Sequence, residues 1–190
     1  MRSLRVLIAL GWIIFWLYWI FSATRSKKGD PFNVKQFFGI RIIIWPLAIV
    51  LVLVINHLPF SFKSHYQTLI SNHIVEATSL FLFFIGLLIA VWARISLSEN
   101  WGMPMAKKQN PELVTSGPYA YIRHPIYTGM LMMVLGSFLG FNIYWVIVFV
   151  VASVYFIYSA IAEEKLMMQE FPKAYPSYKQ KTKLLIPFIF

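Results

Sequence analysis

The chain has 190 residues, of which 59% are hydrophobic and 18% aromatic; only 13% are charged, where a soluble domain carries about 25%. With a mean hydropathy of +0.67, this composition excludes an ordinary water-soluble globule and calls for a bilayer as solvent. The formal net charge of +10 would signal nucleic acid in a soluble protein, but here the basic residues flank apolar runs, so membrane lipids and topology account for them and no nucleic-acid partner is expected.

Five hydrophobic segments follow in chain order. Each is read as a helix, because an apolar run in lipid must satisfy its own backbone. The first runs from about Val6 to Ala23. Arg2 and Arg5 precede it as they would in a signal peptide, but the run exceeds the usual ~7–15 residues and "FSATRSKK" is no small-residue cleavage site, so it reads as a span. The second runs from about Phe37 to Leu58. His57, His65 and His73 lie around the loop that follows, at a spacing unlike a helical metal pair and without a close acidic partner; they read as surface residues, and no metal is expected. The absence of cysteine removes disulfides, thiolate metal sites and thiol nucleophiles. The third segment runs from about Ile74 to Leu97, the short fourth from Ile126 to Phe141 and the fifth from Ile143 to Ala162. Little more than Gly140 to Asn142 joins the last two, so they should form a tight antiparallel hairpin. The expected architecture is an all-α, multi-pass integral membrane protein of about five transmembrane helices. It forms a single domain over 1–190, with N-terminal helices in 1–73.

Basic residues orient these spans. All 17 Lys and Arg except Arg2, Arg5 and Lys63 fall after the first span, after the third, or in the tail. The positive-inside rule places those segments in the cytoplasm and the N-terminus outside.

The polar stretch "TSGPYAYIRHPIYTGM" (Thr115 to Met130) enters the hairpin on the predicted cytoplasmic side, and Glu163 and Glu164 leave it there. Singly, these residues have ordinary uses. Pro125 suits the first turn of a helix, the tyrosines and Arg123 suit the membrane interface, and Gly129 and Gly136 allow close helix packing. Together they suggest a site. His124 falls beside a helix N-terminus, where free N–H groups favour a carboxylate, and Arg123 adds a fork for the same group. Adjacent carboxylates at the end of an apolar helix are costly and would be met by a cationic group. Donors for an anion on one side and carboxylates on the other suit a zwitterion. No P-loop, GxGxxG, HExxH or GxSxG occurs.

"LVTSGPYAYIRHPIYTGMLMMVLG" followed by "EEKLMMQEFPKAYPSYKQKTKLLIPF" resembles the isoprenylcysteine carboxyl methyltransferase family and, more loosely, the membrane phospholipid methyltransferases. The pattern is GxY, RHPxYxG, a hydrophobic hairpin, EE, F…Y..Y and a late LxP, spread over about Trp92 to Pro187. The resemblance implies an S-adenosylmethionine-dependent methyltransferase with its core in 74–190 and its active site at the cytoplasmic face, where loop and tail form the cofactor site. It carries the cofactor contacts onto Leu113, Val114, Tyr119, His124, Pro125, Ile126, Tyr127 and Glu163. The family's arginine one helical turn before the acidic pair is Ser159 here, which turns the expectation towards a lipophilic acceptor other than a prenylated cysteine.

The expected reaction is in-line methyl transfer to a lipophilic or prenylated substrate arriving from the bilayer. A carboxylate acceptor is already ionised at pH 7 and needs no base; Arg123 or Arg94 would orient it. A lipid amine, as in phospholipid N-methylation, would need a base, for which Glu164 is the candidate. The alternatives are an NADPH-dependent sterol-reductase-like enzyme, disfavoured by the short chain, and a non-enzymatic membrane scaffold.

Overall fold

A computed structural model describes residues 2–23, 72–101 and 112–187, with isolated positions at 48, 50, 53, 54, 57 and 66. Among the described residues, four long or apolar helices and one short one carry the fold: α1 (Arg2–Ala23), α2 (His73–Leu97), α3 (Pro125–Gly140), α4 (Trp145–Glu170) and α5 (Ala174–Lys181). Three of them contain stretches long and apolar enough to cross a membrane: Ser3–Ser22, His73–Asn100 and Trp145–Glu170. The expected second span lies outside the described residues except at 48, 50, 53, 54 and 57, and His65, Lys107 and Lys108 lie outside them altogether.

Local chemistry explains the helix ends. Asn72 caps α2, its side chain accepting from the Ile74 amide at 2.8 Å. Pro125 occupies the first turn of α3, behind His124 at the N-cap position. Asn142 closes the α3–α4 turn by accepting from the Tyr144 amide at 3.0 Å, so the hairpin forms as its short connection requires. The fifth span does not stop at Ala162. The helix continues to Glu170, because Glu163 and Glu164 both find partners and do not have to leave it for water.

The tightest contact joins α2 to α3. Ser79, Phe83, Gly86, Ala90 and Ala93 on one helix and Gly129, Met133, Gly136 and Gly140 on the other are all buried. Their spacing alternates between four and three residues, which keeps one seam facing the partner helix. A Cβ added to Gly86 would lie 2.5 Å from the Gly129 carbonyl oxygen, so the two backbones touch there and only glycine fits. Ser79 Oγ donates to the Gly136 carbonyl across the seam at 2.8 Å. α1 lies against both helices: Trp12 Nε1 donates to Ser137 Oγ of α3 at 2.9 Å, and the Trp12 ring meets Phe83 of α2 edge-on at 5.7 Å.

Two contacts give the directions. Leu4 and Ile8 of α1 approach Gly140 at the end of α3, while Ser22 meets Arg94 at the end of α2. α1 and α2 therefore run the same way and α3 runs against them. The ends of α1, α2 and α4, the start of α3 and the whole of α5 gather at one end of the bundle.

Candidate active site

α3 has 16 residues, about 24 Å of helix, against an apolar layer of about 30 Å. Its first turn and the preceding chain thus lie within the depth of their neighbours, where irregular backbone must be satisfied by protein. The tail satisfies it. The amides of Arg123 and His124 donate to the Lys183 and Leu184 carbonyls at 2.8 and 3.1 Å, and the Lys183 amide donates back to Tyr121 at 3.2 Å. This makes a parallel bridge between Ile122 and Lys183. Thr128 Oγ1 donates to the Leu185 carbonyl at 2.6 Å, and Tyr178 Oη to the Tyr119 carbonyl at 2.8 Å. Gly117 turns the loop at φ +60°, and a side chain there would strike Ser96 and Trp92.

On the inner side of this strap, Tyr127 Oη donates to Glu163 Oε1 at 2.6 Å, and His124 Nδ1 lies 3.5 Å from Glu163 Oε2. The His124 ring stacks parallel on Tyr127 at 5.4 Å, and Tyr127 stacks on Phe156 of α4 at 4.7 Å. His124 Nε2 is buried and has no hydrogen-bond partner among the described residues. Pro125 is buried, and Tyr119, Ile126, Tyr127, Leu184 and Leu185 close one apolar cluster around the group, with half-buried Val114 packed against it. Leu113, also half-buried, precedes it in the same loop. Burial, reinforced by the negative Glu163, pushes the Tyr119 phenol far above its ordinary range, and burial raises Tyr178 to about 12. Both phenols are therefore neutral at physiological pH.

The neighbouring residues face the other way. Arg123 donates from Nε to Glu164 and from Nη1 to the Thr182 and Lys179 carbonyls, while Lys179 Nζ donates to the other Glu164 oxygen at 2.6 Å. Arg94 is buried a short way off. It donates to Ser22 Oγ at 3.1 Å, to the Ser22 carbonyl at 2.5 Å and to the Ser98 carbonyl at 2.6 Å, and it lies 4.7 Å from the centre of the Trp101 ring. It thus ties the end of α1 to the end of α2. Arg123 and Arg94 both spend donors on oxygens of the chain itself. Ser159 is buried on α4 one turn before Glu163, its Oγ without a partner among the described residues.

Lys179, Tyr178 and Thr182 join the site without a role expected from the sequence. The two tyrosines of "AYPSY" were visible as a pattern, but Lys179 looked like any interfacial lysine. His57 is exposed, with Nδ1 2.8 Å from the Leu53 carbonyl. His73 does have an acidic neighbour, Glu76 at 3.5 Å in the first turn of α2, in place of the isolation expected; the imidazole is almost wholly exposed and the pair is a surface contact.

A helical bundle of this kind is an integral membrane protein with its polar chemistry gathered at one end. The chain belongs to the phospholipid methyltransferase family, whose family model matches residues 74–174, from the start of α2 into α5. It is 31% identical over 101 residues to a protein-S-isoprenylcysteine O-methyltransferase of Schizosaccharomyces pombe, an alignment covering 51% of this chain and 43% of that protein. Its fold is similar to a solved structure of the eukaryotic intramembrane Ras methyltransferase, isoprenylcysteine carboxyl methyltransferase. There the TM-score is 0.58 at 20% identity, over 84% of this chain and 55% of the other. The chain thus spans about half the length of these relatives.

Proposed function

We propose that the protein is an intramembrane methyltransferase that uses S-adenosylmethionine to methylate a lipophilic carboxylate of the isoprenylcysteine type at the cytoplasmic face of a membrane. The observation that carries this reading is the buried His124 Nε2, without a partner among the described residues, beside the Glu163 carboxylate at the start of α3. An orphaned buried polar atom costs free energy unless a ligand meets it. The pair fits the cofactor: His124 and the N-terminus of α3 would hold its carboxylate, and Glu163 its ammonium. Leu113, Val114, Tyr119, Pro125 and Ile126 would line the rest. When bound, the cofactor supplies an electrophilic methyl on sulfur, which passes to a carboxylate oxygen and leaves a neutral thioether. Tyr127 orients Glu163, the Phe156–Tyr127–His124 stack fixes the imidazole plane, and the strap excludes water. Arg123, Glu164 and Arg94 serve by holding this frame.

Methylation of a lipid amine is a second reading, favoured by one observation. Among the described residues both candidate forks, Arg123 and Arg94, are engaged by the chain itself, and Ser159 puts a neutral hydroxyl one turn from Glu163. The test is a labelled-methyl assay with purified protein in nanodiscs, offering a farnesylcysteine analogue and phosphatidylethanolamine separately, with mass identification of the product. A methyl ester on the analogue supports the first reading and an N-methylated lipid the second. No transfer to either, nor to any component of a membrane extract, refutes methyl transfer.

A further inference from the structure

The Arg123–His124 and Glu163–Glu164 dipeptides make an interlocking joint. Successive residues on a helix point about 100° apart, so α4 turns Glu163 towards His124 and Tyr127 and Glu164 towards the tail. In the proposed function the second half of the joint touches neither donor nor acceptor. Arg123 and Glu164 are each 9% exposed at the side chain, while Lys179 is 47% exposed. Lys179 thus reaches from the solvent-facing side of α5 to the one Glu164 oxygen that Arg123 leaves open. Arg123 in turn grips the carbonyls of Lys179 and Thr182, just before the strap pairs with residues 121–124. Thr182 Oγ1 donates to the Tyr178 carbonyl at 2.7 Å, ending α5 where the strap begins. Leu184 and Leu185 of that strap are walls of the cluster around Tyr127.

We propose that Lys179 is a positioning residue: by holding Glu164 it keeps Arg123 and the 182–185 strap closed over the His124–Glu163 cradle, and so sets how tightly the methyl donor is held without touching it. The inference rests on the reading of the cradle given above. Without the ammonium, a buried carboxylate oxygen loses its partner and Arg123 alone holds the joint. The pair is half exposed, so its effect is moderate and screened by salt.

The test uses the full chain in phosphatidylcholine nanodiscs, with S-adenosylhomocysteine as the binding probe. Lys179→Met should weaken binding and raise the donor KM by about fivefold to tenfold, leave kcat at saturating donor within about twofold, and speed amide exchange at Arg123, His124 and Lys183. Lys179→Arg should restore most of the affinity, and Lys181→Met should match wild type. Lys179→Gln, held to the same limits as Lys179→Met, covers the case of a variant that does not fold. Wild-type affinity in Lys179→Met, an effect confined to kcat, or no rescue by arginine overturns the proposal. A wild-type protein that binds no S-adenosylhomocysteine overturns the cradle reading and this inference together. That outcome is distinct from one in which wild type and Lys179→Met bind equally.

Discussion

Replacing Gly129 by valine should loosen the bundle and the site together. A Cβ at this position lies 2.5 Å from the Gly86 carbonyl oxygen, 2.7 Å from the Ala90 amide nitrogen and 2.9 Å from the Ala90 Cβ. These are backbone atoms or a methyl without rotamers, so none can swing aside. A carbon–oxygen contact needs about 3.3 Å, so α3 must withdraw from α2 by about 0.8 Å. Overpacking of this kind costs about 1–3 kcal/mol; the helix-propensity gain of valine over glycine, about 0.3 kcal/mol, offsets little of it. At about 2–4 °C per kcal/mol for a chain of this size, the thermal midpoint should fall by about 1–11 °C. Tyr127 is on the same turn of α3, and its 2.6 Å bond to Glu163 would stretch or break. A misplacement approaching ~1 Å can cost about 100-fold in rate. The assay is thermal unfolding in one detergent alongside initial methyl-transfer rates, with Leu88→Ala, an exposed position on α2, as control. A midpoint and rate equal to those of the control would refute the claim that backbone contact at this seam positions the site.

Three further outcomes are expected. Tyr127→Phe, His124→Ala and Glu163→Gln should each weaken S-adenosylhomocysteine binding by about 10- to 150-fold, the cost of about 1.5–3 kcal/mol for a hydrogen bond to a charged group; isothermal titration measures it, and unchanged affinity in all three sinks the site. Tyr178 is neutral in both states below pH 10, and between pH 10 and about 12 only the unfolded form ionises, so stability should fall as pH rises through that window. Tyr178→Phe should reduce that fall and cost about 0.5–1.5 kcal/mol at neutral pH by losing the bond to Tyr119; an identical alkaline profile in the variant counts against it. Tags at the C-terminus should prove cytoplasmic and tags at Met1 external; finding both ends in the cytoplasm would contradict the orientation read from the basic residues.

The sequence by itself determined the helices, because the length of an apolar run and the position of a proline or asparagine act locally. α1, α2, α3 and the start of α4 were legible to within a few residues, and Pro125 marked the start of α3, but the end of α4 was not, since the helix runs on from Ala162 to Glu170. RHPxY and EE also marked which residues would meet. Their division of labour belonged to the tertiary structure. Arg123 and His124 are neighbours in the chain, as are Glu163 and Glu164, and nothing local says which member of each pair turns towards the cradle. That depends on the tail returning beside residues 121–124 and on Lys179 reaching Glu164, a partner 15 residues away. Arg94 illustrates the same limit, since one of its partners, Ser22, lies 72 residues earlier. A buried guanidinium must spend its donors wherever the fold brings oxygens to it, and only the packed bundle fixes where those oxygens are.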